Sequence, residues 1–307
     1  MHTLPFLVSL FATLFVIQPG LSTTPIKKTN QRITYIQTNQ LQTNNKNPKD
    51  KSKDTTVKAT EISASRIATL YDFLQNITTF HLYDEESKAN YLLIRINKTS
   101  YLGRDFSPKV VSTESTTAWL MNQGLTYNLV INGGIFDITK AQSDGLLIID
   151  GEVLQEGPTV THPKCQPLTI DANGDLFYAE WNVKGNDMIK KGIRYAITGF
   201  MPIIIDFKKV PTSLWNRVEH YTANAQRQII GQFDNGDYGI LTSEGRGAVN
   251  SDGLTIEEAQ NLCIKHGFKF AYNLDGGGST ETVIGRKMMN HIYDGESGRK
   301  VPNFIVW

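Results

Sequence analysis

Apolar and polar residues alternate along much of this chain, and the pattern predicts mostly short strands. In Asn90 to Asn97 (NYLLIRIN), Leu92, Ile94 and Ile96 share one face, as in a half-buried strand. Tyr127 to Ile131 predicts another strand, which runs into Asn132-Gly133-Gly134. Gly145 to Asp150 and Glu152 to Gln155 read as a hairpin through Asp150-Gly151. Two more hairpins are predicted from Pro167 to Trp181 and from Gln226 to Thr242, each with an Asp/Asn/Gly turn. The run MPIIIDF, within Ile193 to Phe207, predicts a buried strand. Helical spacing is rarer: Ile62, Ile67, Leu70 and Leu74 predict a short helix within Glu61 to Gln75, and Ser112 to Gly124 also reads as helical. The helix with the clearest end signals is Ile256 to His266. Thr255 and Glu258 form a capping box before it, and Gly267 follows as the residue after the C-cap. Strands outnumber helices and short turns join them. The fold class is therefore α+β, with mixed, mostly antiparallel sheets and a few flanking helices in a single domain. No repeat of solenoid period is visible.

The helix at Ile256 leads into a strand, Phe268 to Leu274, and then into Asp275-Gly276-Gly277-Gly278-Ser279-Thr280-Glu281. Alternate strand residues share a face, so Asn273 and Asp275 point the same way and Leu274 points opposite. Three successive glycines remove every Cβ and permit positive φ, so their N–H groups can turn toward an anion. The competing reading is a hairpin, since Asp-Gly is a turn signal. Asn132-Gly133-Gly134 repeats the arrangement, an Asn ending an apolar strand with glycines following, and is equally open to a hairpin reading. Together the two corners point to one pocket.

The N-terminus bears on location. Leu4 to Ile17 is apolar apart from Pro5, Ser9 and Thr13, and is too short for a membrane span of about twenty residues. Gln18, Pro19 and Gly20 end it, and Gly20 and Ser22 suit cleavage after Ser22. Residues 1–22 read as a secretory signal, with an uncleaved anchor as the alternative. Residues 23–60 are rich in Thr, Asn, Gln and Lys and read as a flexible tether. The domain then occupies 61–307, and the expected location is secreted, periplasmic or in the cell envelope.

The 307 residues are 40% hydrophobic and 20% charged, with a net charge of +1. Such a balance gives no global field for nucleic acid, and any membrane contact would run through the N-terminal segment. Cys165 and Cys263 lack zinc-site spacing, and pairing and burial as separate thiols are both open. The histidines show no H-x-H or HExxH spacing, and no G-x-S-x-G occurs. No metal or other cofactor is expected, with a divalent cation such as Ca²⁺ on Asp275 and nearby oxygens as the alternative.

At this point the motifs resemble a known family. NLDGGGST, preceded by GLTIEEAQNLCIKHGFKFAY, resembles the C-terminal signature of the phosphodiester glycosidases, which include exopolysaccharide-associated bacterial proteins. VINGGIFD, SDGLLIIDGEV, AQRQIIGQ and GRKVPNFIVW resemble further blocks of that family, so the likeness spans about 90–307. Gln228 replaces the family's Thr after the arginine, and Phe200 stands where a small residue is usual. The resemblance implies hydrolysis of a sugar-1-phosphodiester of the N-acetylglucosamine-phosphate type. In that frame Asp275 is the expected carboxylate at the sugar, with Glu281 and Asp137 as candidates for a second. Weighed alone, Glu281 reads as a solvent-facing strand residue. Arg227 is the expected phosphate fork, with the N–H groups of Gly276, Gly277 and Gly278 and the hydroxyls of Ser279 and Thr280 beside it. Asn132 (with Gly133) and Asn273 are expected to hold sugar substituents. A non-catalytic glycan-binding module and a phosphodiesterase that cleaves P–O remain open, as do the sugar and the oligomeric state.

Overall fold

The computed structural model describes residues 32–33 and 62–307, except 163, 216–220 and 295–296. The signal segment and nearly all of the tether lie outside the described residues. The chain divides into two compact units, 1–67 and 68–307. In the first, Arg32–Ile33 pairs antiparallel with Ile62–Ser63. The predicted first helix forms as Ala64–Gln75.

The second unit is built on a seven-stranded sheet. Its order is Lys208–Lys209, Met201–Ile205, Phe270–Asn273, Gln228–Gln232, Tyr238–Ser243, Ala89–Ile96 and Ile77–Asp84, with every pairing antiparallel. This sheet is a middle layer. On one face Leu93, Ile203, Ile229 and Leu241 pack with Ile256, Ala259, Leu262 and Cys263 of the helix Ile256–Lys265. On the other, Leu92, Ile94, Ile96, Ile230 and Tyr272 pack with Leu129, Ile131, Leu168 and Ile197, which come from two five-stranded sheets. The sheet is thus covered on both faces, and its central strands Phe270–Asn273, Gln228–Gln232 and Tyr238–Ser243 are buried almost throughout.

One five-stranded sheet runs Glu152–Gln155, Leu147–Ile149, Ile193–Thr198, Pro167–Asp171 and Leu176–Tyr178, and contains two of the predicted hairpins. The other runs Lys287–Met288, Thr282–Ile284, Leu129–Asn132, Val301–Val306 and Lys109–Thr116. Here the predicted helix at Ser112 to Gly124 is corrected. Lys109–Thr116 is a strand paired with Val301–Val306, and only Ala118–Met121 is helical. Residues 110–116 include β-branched Val110, Val111, Thr113 and Thr116, which suit a pleated surface once a partner strand is present. Ile193 to Phe207 likewise holds two strands in different sheets. The chain crosses between them at Gly199, where a Cβ would meet Tyr272 at 2.8 Å. The predicted capping box forms, with Thr255 Oγ1 accepting from the Glu258 N–H at 3.2 Å. Cys165 and Cys263 are both buried, and no disulfide joins them.

Candidate active site

The triple-glycine corner is not a hairpin. It carries the chain from Phe270–Asn273 in the seven-stranded sheet to Thr282–Ile284 in a five-stranded one. Its shape depends on close main-chain approach. A Cβ on Gly276 would lie 2.7 Å from the Gln226 carbonyl oxygen, and Gly277 has φ of +59°. The Gly277 N–H donates to that same carbonyl at 2.8 Å, and Gly277–Ser279 forms a single 3₁₀ turn.

The two glycine corners meet. The Asp275 N–H donates to Gly133 O at 3.1 Å. The Asn132 side chain spans the junction, with Nδ2 donating to Asp275 O at 2.8 Å and Oδ1 accepting from the Glu281 N–H at 3.0 Å. Gly134 N–H donates to Asn303 Oδ1 at 2.7 Å, so the closing strand supports the second corner. Asn132 thus spends its amide on main-chain groups and sets the position of Asp275 and Glu281.

The three candidate carboxylates have different surroundings. Burial pushes Asp275 up to about 6, against opposing hydrogen bonds from Ser279 and the Gly276 N–H and the charge of Arg299. Glu281 is fully buried, which corrects the solvent-facing reading. Its Oε2 accepts from the Ala118 N–H at 2.6 Å, its Oε1 has no partner, and burial raises it to about 8. The strand begins only at Thr282, so Glu281 lies in the crossover itself, enclosed by Gly298 and Arg299. Asp137 is different again. The Thr139 hydroxyl holds it down at about 2, and Lys140 lies 3.2 Å away, all within its own turn.

Asn273 is 1% exposed and neither atom of its amide has a partner. Thr280 Oγ1 is likewise buried and unpartnered. Such groups are costly unless something completes them. Arg227 is buried, and burial lowers it to about 10. Its Nε donates to Leu254 O at 2.8 Å and Nη2 to Ala223 O at 2.7 Å, so main-chain carbonyls occupy the fork that was expected to face phosphate. Among the described residues no three His, Cys, Asp or Glu side chains converge as a metal site.

Three residues at the corner were not singled out from the sequence. Arg246 lies against Gly277, and Arg299 and Asp294 lie against Gly278. Arg299 Nε donates to Asp294 Oδ2 at 2.7 Å. Arg299 stands in the block GRKVPNFIVW, which was the one available signal. Arg246 sits in a turn without periodicity, and nothing in its neighbourhood along the chain marks it.

The model of the phosphodiester glycosidase family matches residues 126–307, more than half of the chain. A curated relative, the SPbeta prophage-derived uncharacterized protein YomE of Bacillus subtilis (strain 168), is 28% identical over 152 residues. That match covers 49% of this chain and 23% of YomE, so the chain spans less than a quarter of that protein's length. Among solved structures, the catalytic domain of zebrafish N-acetylglucosamine-1-phosphodiester alpha-N-acetylglucosaminidase, auto-inhibited by its pro-peptide, superposes with a TM-score of 0.59 at 15% identity. It covers 75% of this chain and 81% of that one. A hypothetical protein from Synechocystis superposes at 0.56 with 12% identity, covering 76% and 62%. At these identities the structures establish a shared fold.

Proposed function

The chain belongs to the phosphodiester glycosidase family, and from that premise we propose that it is an exported hydrolase that cleaves a sugar-1-phosphodiester in a glycan or glycoconjugate. The observation that carries this reading is Asp275, a half-buried carboxyl raised to about 6 at the glycine corner, beside the guanidinium of Arg299. A group of that kind is ionised at neutral pH yet poorly solvated, which suits it to stabilise positive charge at an anomeric carbon or to take a proton from water. In the reaction the C1–O bond breaks and the phosphomonoester leaves with the electron pair. Water supplies the new C1–O bond and gives its proton to Asp275. Phosphate leaves readily, so one working carboxyl suffices. This reading leaves Glu281, which is enclosed, and Asp137, which is held in its own turn, without a part in the chemical step. The unpartnered Asn273 amide would bind a sugar hydroxyl or acetamido group. Export rests on the apolar run Leu4 to Ile17 and the small residues before position 23.

The test is incubation of the purified protein with UDP-GlcNAc and other sugar-1-phosphodiesters in ¹⁸O-labelled water. The expected products are a labelled free sugar and an unlabelled phosphomonoester. Label in the phosphate, or no turnover by folded protein across the panel, overturns the proposal.

A further inference from the structure

Two guanidinium groups lie directly on the glycine corner, from distant parts of the chain. A Cβ on Gly277 would fall 2.7 Å from Arg246 Nη2, and one on Gly278 would fall 2.5 Å from Arg299 Nη2. The glycines therefore do more than permit a turn: they let both cations rest against the main chain. The two arginines are held differently. Arg299 is fixed by the Asp294 carboxylate and donates to Ser279 Oγ at 3.3 Å. The Arg246 side chain has no ion pair or hydrogen bond among the described residues, and its guanidinium lies over the Tyr293 ring at 4.7 Å.

The backbone that delivers Arg246 is strained. Arg246, Gly247, Val249 and Asn250 all have positive φ, with Val249 at +47°. A β-branched residue in that region is a genuine outlier, and such strain collects where a site over-determines the chain. Its effect here is to set a cation without an anionic partner over a corner whose nearby Thr280 hydroxyl and Asn273 amide are buried and unpartnered.

We propose that Arg246 and Arg299 form a two-sided clamp for the phosphate of the substrate over Gly277 and Gly278, with the group beyond the phosphate lying outside, against Tyr293. This rests on the phosphodiester reading above. A phosphodiester carries one negative charge and two free oxygens, one for each guanidinium. Cleavage at C1 adds negative charge to the phosphate, so the clamp holds the transition state more tightly than the substrate. Arg227, bonded to Leu254 O and Ala223 O, acts as a positioning residue for the segments beside the corner. Tyr293 is 49% exposed, so the far alcohol meets an open surface and is recognised loosely.

The test uses the full chain and inorganic phosphate as the probe. Phosphate affinity is measured by calorimetry for the wild type, R246M, R299M and R299K, with R194M as a control, since Arg194 pairs with Asp150 elsewhere on the surface. Arg246 is exposed, so R246M leaves the core intact, and R299K keeps the charge beside Asp294 if R299M does not fold. Each variant at 246 or 299 is expected to weaken phosphate at least about tenfold, while R194M does not. KM for diesters should rise, and exchange of one leaving alcohol for another should change kcat/KM little. Unchanged phosphate affinity in R246M and R299K, or no phosphate binding by the wild type, overturns the clamp even if diesters are hydrolysed. Phosphate binding lost in the variants, with no diester hydrolysed by the wild type, supports the clamp and overturns the hydrolytic reading instead.

Discussion

Replacing Glu281 with Gln should flatten the pH dependence of stability. Glu281 is fully buried, and its Oε2 accepts from the Ala118 N–H. Gly298 presses so close to the unpartnered Oε1 that no Cβ would fit there. Burial raises the carboxyl from 4.5 to about 8, so the folded chain keeps a proton that the unfolded chain gives up. Stability from this group is therefore complete below about pH 4.5 and is lost as pH rises through about 8. At about 1.4 kcal/mol for each pH unit between those values, the loss reaches about 5 kcal/mol. Gln has the same shape and no charge. It brings two buried N–H donors near Oε1's position, a cost of about 1–3 kcal/mol that is constant with pH. Urea unfolding of wild type and E281Q at half-unit steps from pH 4.5 to 9 measures the difference. Asp275 is raised as well, but it is present in both proteins and cancels. The wild type should lose stability relative to E281Q steadily across pH 5 to 8. Parallel curves over that range would refute the buried, protonated state of Glu281.

Activity should depend on Asp275 in the ionised form. For the wild type kcat/KM should rise with pH through about 6, and D275N should lose about 10²- to 10⁴-fold in kcat with its thermal midpoint kept; a pH-flat profile contradicts this. N132A should cost about 2–4 kcal/mol in urea unfolding, because it orphans both the Glu281 N–H and the Asp275 carbonyl. G276A and G278A should separate stability from activity. A Cβ at 276 meets the Gln226 carbonyl and should cost about 1–3 kcal/mol. At 278 it meets the ends of the Asp294 and Arg299 side chains, which can move, so G278A should unfold near the wild-type midpoint but turn over poorly. Equal stability loss in both would count against this distinction.

Much of the fold was legible because its signals are local. The alternation in Asn90 to Asn97 places Leu92, Ile94 and Ile96 on one face, and all three pack in one cluster. The capping box at Thr255 and the end signal at Gly267 bound a helix wherever they occur. Ser112 to Thr116 failed for the opposite reason: its strand state depends on Val301–Val306, which lies far along the chain. At the site, the sequence alone determined the two glycine corners and the polar residues within them, since chain geometry demands glycine where main chains must touch. It left open what those corners do. A short glycine run is compatible with a hairpin, and only the tertiary structure makes it a crossover between sheets that brings Gly133 to Asp275. Burial was equally invisible. Glu281 reads as a strand residue, yet burial raises its pKa against the opposing N–H groups of Ala118 and Arg299, neither of them a neighbour in sequence. The exchange of arginines has the same origin. Arg227 sits in a recognisable block, but Leu254 and Ala223 take its donors, while Arg246 and Arg299 arrive from loops that no periodicity marks. Backbone requirements are written residue by residue; the solvation and partners of a charge are properties of the surrounding volume, which only the packed chain creates.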